Sequence, residues 1–198
     1  MLSAASCNKW LCEDILGTSD YAGEQKDITD EDLGNNRVYF LPYLMGERSP
    51  INDTDATGMF IGLRPDTSRS QMLLAVLEGV SFAIRDNIEI AKSLGIDIKS
   101  SCLCGGGAKS KLWRKILSNV LNIQLNIPVA EEGPGYGTAI LSMVGAGEYE
   151  TVSEATEKLV CIKENILPQD ELVELYEERY QKFRLIYPTV KELYKNIK

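Results

Sequence analysis

Histidine is absent from this sequence of 198 residues. Without it, the Ser-His and Cys-His pairs that activate a nucleophile in many hydrolases cannot form. The chain also lacks the Cys-x-x-Cys spacing that a typical zinc site combines with histidine. We therefore expect any acid–base chemistry to rest on carboxylates, lysines or tyrosines.

Positive charge is scarce as well. Lysine and arginine number 21 against 29 acidic residues, which gives a formal net charge of −8. Proteins that bind duplex nucleic acid neutralise its phosphates with a basic patch. The composition therefore argues against nucleic acid as a partner.

Long apolar runs are missing too. No stretch approaches the roughly 20 apolar residues that a membrane helix needs. The segment Met1-Leu2-Ser3-Ala4-Ala5-Ser6 has neither the basic start nor the long apolar core of a secretory signal. We expect a cytoplasmic protein without a membrane partner.

Cysteine is sparse, with five residues at positions 7, 12, 102, 104 and 161. This odd and small number does not fit a disulfide scaffold. Cys102 and Cys104 lie on a predicted strand with one residue between them, so both side chains should face the same way. We expect them to be small buried apolar residues.

Helical and extended patterns alternate along the rest of the chain. Strands are predicted over residues 38–44, 58–63, 98–104 and 124–129. Helices are predicted over residues 2–16, from Ser68 to just before Gly95, over 110–121 and 136–145, and from 168 onward with a break at Pro188. Residues 17–36 are polar and predict a surface excursion. This order indicates an α/β domain with parallel strands, formed by residues 1–198 as one unit.

A glycine-rich turn, Gly105-Gly106-Gly107-Ala108-Lys109-Ser110, joins a predicted strand to a predicted helix. Backbones without Cβ atoms can approach a ligand closely, and a helix start offers free N–H groups. Lys109 and Lys111 add positive charge, which suits an anionic or nucleotide ligand. The turn matches neither common phosphate-binding glycine pattern, so a tight turn required by packing remains an equal alternative.

Several charged and aromatic residues have simpler interpretations. We expect Glu47 and Arg48 to form a local ion pair, and Glu78 to lie on the exposed surface of its helix. Glu131 and Glu132 are expected to be solvated or to interact with the dipole at the start of the following helix. The aromatic stripe after residue 168 is expected to belong to the core or to an interface.

Four segments together resemble the FGGY family of carbohydrate kinases. They are Leu41-Pro42-Tyr43-Leu44-Met45-Gly46-Glu47-Arg48-Ser49-Pro50, then Gly58 to Leu63 followed by Ala75 to Val80, then Gly105 to Ser110 with Trp113, and Gly137-Thr138-Ala139-Ile140-Leu141. Their order and spacing over residues 38–145 carry the resemblance. Within the family, the start of the chain and the Gly-Glu-Arg-Ser-Pro loop are most similar to the xylulokinases.

The resemblance implies a ribonuclease-H-like (actin-like ATPase) fold, incomplete at its N-terminal strands and followed by C-terminal helices. It also implies transfer of the ATP γ-phosphoryl to a sugar hydroxyl with the help of Mg²⁺. By the same resemblance, the residues that contact the adenine nucleotide are Gly106, Gly107, Ala108, Lys111, Ala5 and Lys9. Many relatives have asparagine where this chain has Lys111.

In the family, the catalytic aspartate and most sugar contacts lie upstream of the segment matched by Met1. No catalytic or metal-ligating residue is therefore assigned here, and we expect the chain alone to bind nucleotide weakly without phosphorylating sugar. A sheet without its first strands should leave an open edge. Self-association, for example as a homodimer, or partial disorder is therefore expected unless another chain supplies those strands. The alternatives are a kinase for glycerol, ribulose, gluconate or another sugar, and a non-catalytic nucleotide-binding or regulatory module.

Overall fold

The computed structural model of the protein describes residues 1–131 and 133–197. Glu132, predicted above to be solvated, lies outside the described residues. Glu131 is exposed, as predicted. Across the two described stretches, no helix is long and apolar enough to span a membrane.

The described residues form a helix-rich α/β structure. Its helices are α1 (Ala5–Lys9), continued by a π-helical segment (Trp10–Ile15), α2 (Tyr21–Gln25), α3 (Arg69–Ser93), α4 (Lys111–Leu121), α5 (Gly133–Gly145), α6 (Val152–Leu159) and α7 (Asp170–Asn196). Its strands are β1 (Tyr39–Leu41), β2 (Met59–Ile61), β3 (Ser100–Cys102), β4 (Gln124–Pro128) and β5 (Ile162–Ile166). Short 3₁₀ turns cover Asp30–Asp32 and Gly106–Lys109.

Helix α3 is the central element, and the sequence predicts both of its ends. Ser68 Oγ accepts a hydrogen bond from the Gln71 N–H at 3.1 Å, and Gln71 Oε1 accepts one from the Ser68 N–H at 2.9 Å. This reciprocal capping box fixes the start. Gly95 follows the helix with a φ of +81°, a conformation that glycine adopts without a Cβ clash.

The strands form two small sheets in the described part of the chain. β1 and β2 pair antiparallel, with Phe40 opposite Phe60. β3 and β4 pair parallel, with Ser101 opposite Leu125. β5 adds to β4 in the antiparallel direction. The predicted parallel pairing is therefore correct for β3 and β4, while β5 was not predicted.

Helix α7 runs through Pro188, which corrects the predicted break. Proline removes one helical hydrogen bond and crowds the preceding turn. Buried aromatic residues lie on both sides of Pro188, and their packing holds the two halves in one helix. They are Tyr176, Tyr180 and Phe183 before it and Tyr194 after it. The prediction that this stripe belongs to the core is confirmed.

Cys102 and Cys104 are exposed, so the prediction that they are buried is wrong. Among the described residues β3 pairs with β4 alone, and all three residues of β3 are exposed. Alternation along a strand places the two thiols on one side but does not say whether another layer covers that side.

Glu47 also corrects a prediction. Its buried carboxylate accepts hydrogen bonds from the backbone N–H groups of Leu2 at 3.1 Å, Arg48 at 2.8 Å and Ser49 at 3.3 Å. Arg48 is exposed, and within the described residues its side chain forms no ion pair. A buried carboxylate needs hydrogen-bond donors, and backbone N–H groups supply them here. The Glu47 carboxylate therefore holds the backbone of its own loop in place.

Glu78 is buried and not on the exposed surface of α3, contrary to prediction. Its Oε2 lies 2.7 Å from Nη2 of Arg179, which comes from α7 and is buried as well. The ion pair joins α3 to α7, and its two residues are 101 positions apart in the sequence. No local pattern around Glu78 could indicate this partner.

Among the described residues β3 is an edge strand, so self-association through this edge remains a prediction. We expect sedimentation velocity at tens of micromolar to show a species heavier than the 22.0 kDa chain. Ser101→Lys should shift it toward monomer, because a charge on an exposed edge disfavours strand addition. Ser153→Lys, at an exposed position of α6, serves as the matched control. A wild-type chain that stays monomeric throughout would contradict the prediction.

Candidate functional site

A cavity of about 880 Å³ lies between α1, α2 and the glycine-rich turn that precedes α4. Its size is within the range of small-molecule and cofactor sites. The residues that line it are Ala5, Ser6, Asn8, Lys9, Tyr21, Ala22, Gln25, Lys26, Gly106, Gly107, Lys109, Ser110, Lys111, Leu112 and Trp113.

Five of the six predicted nucleotide contacts meet at this cavity. They are Ala5, Lys9, Gly106, Gly107 and Lys111. Ala108 does not line it: its side chain is buried and borders a smaller cavity of about 310 Å³ on the other side of the turn. That these residues bind a nucleotide remains a prediction, but residues about 100 positions apart in the sequence do converge.

The charge of the cavity wall is opposite to that of the chain. Lys9, Lys26, Lys109 and Lys111 line the cavity, and no described aspartate or glutamate does. Lys9 lies 3.8 Å from Glu13, and Lys109 lies 3.7 Å from Glu131. Lys26 and Lys111 are exposed and form no ion pair with any described residue. A positive concave surface of this kind suits an anionic ligand.

Trp113 forms a rigid part of the wall. Its side chain is buried, and its Nε1–H donates to the Leu77 carbonyl at 3.1 Å and to Ser81 Oγ at 3.2 Å. These bonds fix the indole plane against α3. A Cβ placed on Gly107 would lie 3.0 Å from the ring, whereas one on Gly106 would meet nothing within 4 Å. Packing therefore accounts for glycine at 107, while the space above Gly106 is open to a ligand.

Ser110 connects two walls of the cavity. It is the N-cap of α4, and its Oγ accepts a hydrogen bond from the Trp113 N–H at 3.1 Å. The same hydroxyl donates to Gln25 Oε1 on α2 at 2.6 Å. This contact places the short helix α2 against the glycine-rich turn.

The cavity residues Tyr21 and Gln25 of α2 and its C-cap residue Lys26 were not predicted from the sequence. A helix of five residues has too few turns for a periodic pattern. One local signal was present, because Asp20 caps this helix by accepting from the Gly23 N–H at 2.9 Å. The Tyr21 hydroxyl donates to Glu13, and this bond raises the pKa of Tyr21 to about 12. Tyr21 is therefore neutral at physiological pH.

The side chains that line the cavity do not form a metal site by themselves. No described group of three or more cysteine, aspartate or glutamate side chains is arranged to hold a metal ion. Magnesium prefers carboxylate and phosphate oxygens, and the described cavity wall offers lysines and amides. The cavity therefore fits the phosphates of a nucleotide better than it fits a bare cation.

The sequence of the chain is similar to those of known proteins. Residues 1–146 match the C-terminal domain of the FGGY family of carbohydrate kinases. Xylulose kinases from Staphylococcus xylosus and Escherichia coli are 32% and 34% identical to the chain, each over 94% of it. The chain spans only 38% of the length of each of these relatives.

Solved structures show the same fold. A protein described as a xyloylose kinase from Brucella ovis superimposes with a TM-score of 0.86 at 34% identity, covering 98% of this chain and 39% of that one. A ligand-bound xylulose kinase from Lactobacillus acidophilus gives a TM-score of 0.84 at 22% identity over 99% of this chain and 40% of that one. The chain has the ribonuclease-H-like, actin-like ATPase fold of these kinases, and it belongs to the FGGY family of carbohydrate kinases, whose C-terminal domain it matches over residues 1–146.

Proposed function

We propose that this chain is the nucleotide-binding portion of an ATP-dependent carbohydrate kinase. The observation that carries the proposal is the large cavity beside the glycine-rich turn, lined by four lysines and, among the described residues, by no carboxylate. Lysine is a common partner of nucleotide phosphates, which it meets as a point charge. The chain has a net charge of −8, yet these four lysines lie together at one concave site. Their positive charge attracts an anionic ligand to this site.

In phosphoryl transfer, catalysis is mainly positioning and stabilisation of charge. The lysines would neutralise the phosphates, and the fixed Trp113 ring with Leu112 would offer an apolar surface to the base. When bound, Mg²⁺ would be held by the nucleotide phosphates and would neutralise part of their charge. No described residue of the cavity is placed to accept the proton of a sugar hydroxyl, so this chain alone should not turn over.

The proposed reaction is transfer of the ATP γ-phosphoryl to D-xylulose, which gives xylulose 5-phosphate. The names of the relatives support this sugar, since the kinases from S. xylosus and E. coli are xylulose kinases. Another sugar is the alternative. A relative from E. coli, 27% identical over 81% of this chain and 32% of its own length, is named L-xylulose/3-keto-L-gulonate kinase.

We further propose that residues 1–198 act as one domain in the cytoplasm. The segment beyond residue 146 supports this, because β5 pairs with β4 and the aromatic residues of α7 pack on Phe82 of α3. The family relationship also leaves room for a non-catalytic nucleotide-binding module. Binding measurements alone cannot separate that module from a kinase portion, but joining the chain to the remaining part of the kinase can.

Charge reversal at the unpaired lysines should weaken ADP binding strongly. In Lys26→Glu/Lys111→Glu, we expect calorimetry with Mg²⁺ to give a Kd raised by about 30-fold, because two charge-assisted contacts are lost and two repulsions are added. The effect should shrink as salt rises. Lys99→Glu reverses the charge of one exposed lysine outside the cavity, and it should leave the Kd within about twofold.

An assay with ATP and xylulose should accompany the titration. Binding without turnover supports the proposal. Equal affinity of the double variant and the wild type would show that the cavity is not the nucleotide site. Turnover by this chain alone would contradict the proposal that its residues bind nucleotide without phosphorylating sugar.

A further inference from the structure

Gln25 is held in one orientation by residues that themselves have little freedom. Its Oε1 accepts the Ser110 hydroxyl hydrogen at 2.6 Å. Ser110 cannot easily turn away, because its Oγ also caps α4 by accepting the Trp113 N–H at 3.1 Å. The carboxamide oxygen of Gln25 is therefore directed to Ser110, and the nitrogen is the part that remains for another partner.

No described residue accepts a hydrogen bond from Gln25 Nε2, although Gln25 is half-buried and lines the large cavity. Two other uncharged polar side chains of the cavity have protein partners. The Tyr21 hydroxyl donates to Glu13, and Asn8 Oδ1 accepts from the Cys12 thiol at 3.6 Å. The lysines act as point charges and cannot distinguish one base from another. Gln25 thus presents a directional donor without a protein acceptor.

We propose that Gln25 is a specificity-determining residue, whose amide nitrogen donates to an unprotonated ring nitrogen of the adenine base. The inference rests on the proposed function, since it assumes that a nucleotide occupies the cavity. Because its oxygen is directed to Ser110, the nitrogen is the part of the amide left to face a ligand, and that nitrogen only donates. It therefore pairs with a lone pair such as that of a purine ring nitrogen, and it disfavours an N–H or C–H at the same point.

The test uses ADP and its 1-deaza, 3-deaza and 7-deaza analogues, each of which replaces one ring nitrogen by C–H. One of the three should bind the wild-type chain about 5- to 10-fold more weakly than ADP, as expected for one lost hydrogen bond. In Gln25→Met that analogue and ADP should bind equally, both at the weaker level. Gln25→Glu, which keeps an acceptor for Ser110 but loses the donor, should also erase the difference.

Two controls separate base recognition from folding and from charge. Inorganic pyrophosphate should bind Gln25→Met as well as it binds the wild type, because it engages the lysines alone. Gln169→Met changes an exposed glutamine at the start of α7 and should leave every affinity unchanged. Thermal unfolding by circular dichroism should give the same midpoint for Gln25→Met and the wild type within a few degrees.

The outcomes are distinct. If ADP binds and all three deaza analogues bind equally well, or if Gln25→Met leaves the ADP affinity unchanged, the inference on Gln25 is overturned and the proposed function stands. If the loss appears in Asn8→Ala and not in Gln25→Met, the donor is the other amide and the inference is likewise overturned. If the wild-type chain binds pyrophosphate but no ADP, or neither, the proposed function falls together with the inference.

Discussion

Arg179→Met should lower the free energy of unfolding by about 3–5 kcal/mol, because it leaves Glu78 buried without its partner. The side chains of Arg179 and Glu78 are only 6% and 1% exposed, and their charged atoms lie 2.7 Å apart. Arg179 also donates to the Val38 carbonyl at 3.2 Å, and its guanidinium lies 4.4 Å from the centre of the Tyr39 ring. The substitution therefore removes contacts of α7 with α3, with Val38 just before β1 and with Tyr39 in β1.

Urea unfolding followed by circular dichroism measures this loss, and α7 provides a matched control. Lys182 and Glu178 form a surface pair with Nζ and Oε1 2.6 Å apart, both well exposed. Lys182→Met removes a positive charge from the same helix and should leave stability nearly unchanged. In Glu78→Leu/Arg179→Met neither charge remains, so the double variant should be more stable than Arg179→Met. Equal losses in Arg179→Met and Lys182→Met would contradict the importance of the buried pair.

The deficit of Arg179→Met should also depend on pH. Burial raises the pKa of Glu78 to about 7, while Arg179 lowers it. In the variant the folded pKa rises further because the lowering influence is gone, whereas the unfolded pKa stays near 4.3. A raised folded pKa gives stability that is present at low pH and lost as pH rises. The variant should therefore fall further below the wild type at pH 8 than at pH 5, and a constant difference would contradict this account.

Local signals in the sequence predict the elements whose determinants are local. The capping box at Ser68 and the apolar periodicity after it lie within one helix, and α3 begins where they indicate. The same holds for α4, where Ser110 caps the helix three residues before Trp113. Capping and amphipathic packing act over a few residues, so they are visible in a single stretch of sequence.

Features that depend on distant residues could not be predicted from local patterns. The burial of Glu78 depends on Arg179, and the position of Gln25 depends on Ser110, 85 residues away. The exposure of Cys104 depends on whether another layer covers its side of the sheet, which alternation along the strand does not reveal. The family resemblance predicted that Ala5 and Gly107 meet at one site, but it carried no information about α2. The cavity residues from α2 and its C-cap, Tyr21, Ala22, Gln25 and Lys26, were therefore not predicted.

Gly79 allows α3 to lie directly against β1. A Cβ at this position would be 2.1 Å from the carbonyl oxygen of Phe40, an atom of the backbone that cannot rotate away. Phe40 is buried and packs against Phe60 in a tilted arrangement with ring centres 4.6 Å apart, so β1 cannot move without disturbing the core. We expect Gly79→Ala to lower the free energy of unfolding by about 2–3 kcal/mol, because the overpacking exceeds the gain of about 1 kcal/mol in helix propensity.

Gly137→Ala is the matched control for this prediction. Gly137 lies inside α5, and a Cβ there would meet nothing within 4 Å. The same substitution should therefore raise stability by about 0.5–1 kcal/mol, since alanine loses less conformational freedom in a helix than glycine does. Opposite signs of the two changes in urea unfolding would show that the space beside Gly79, and not helix propensity, requires glycine. A stabilised Gly79→Ala would mean that α3 and β1 can separate without loss, which the buried position of Phe40 argues against.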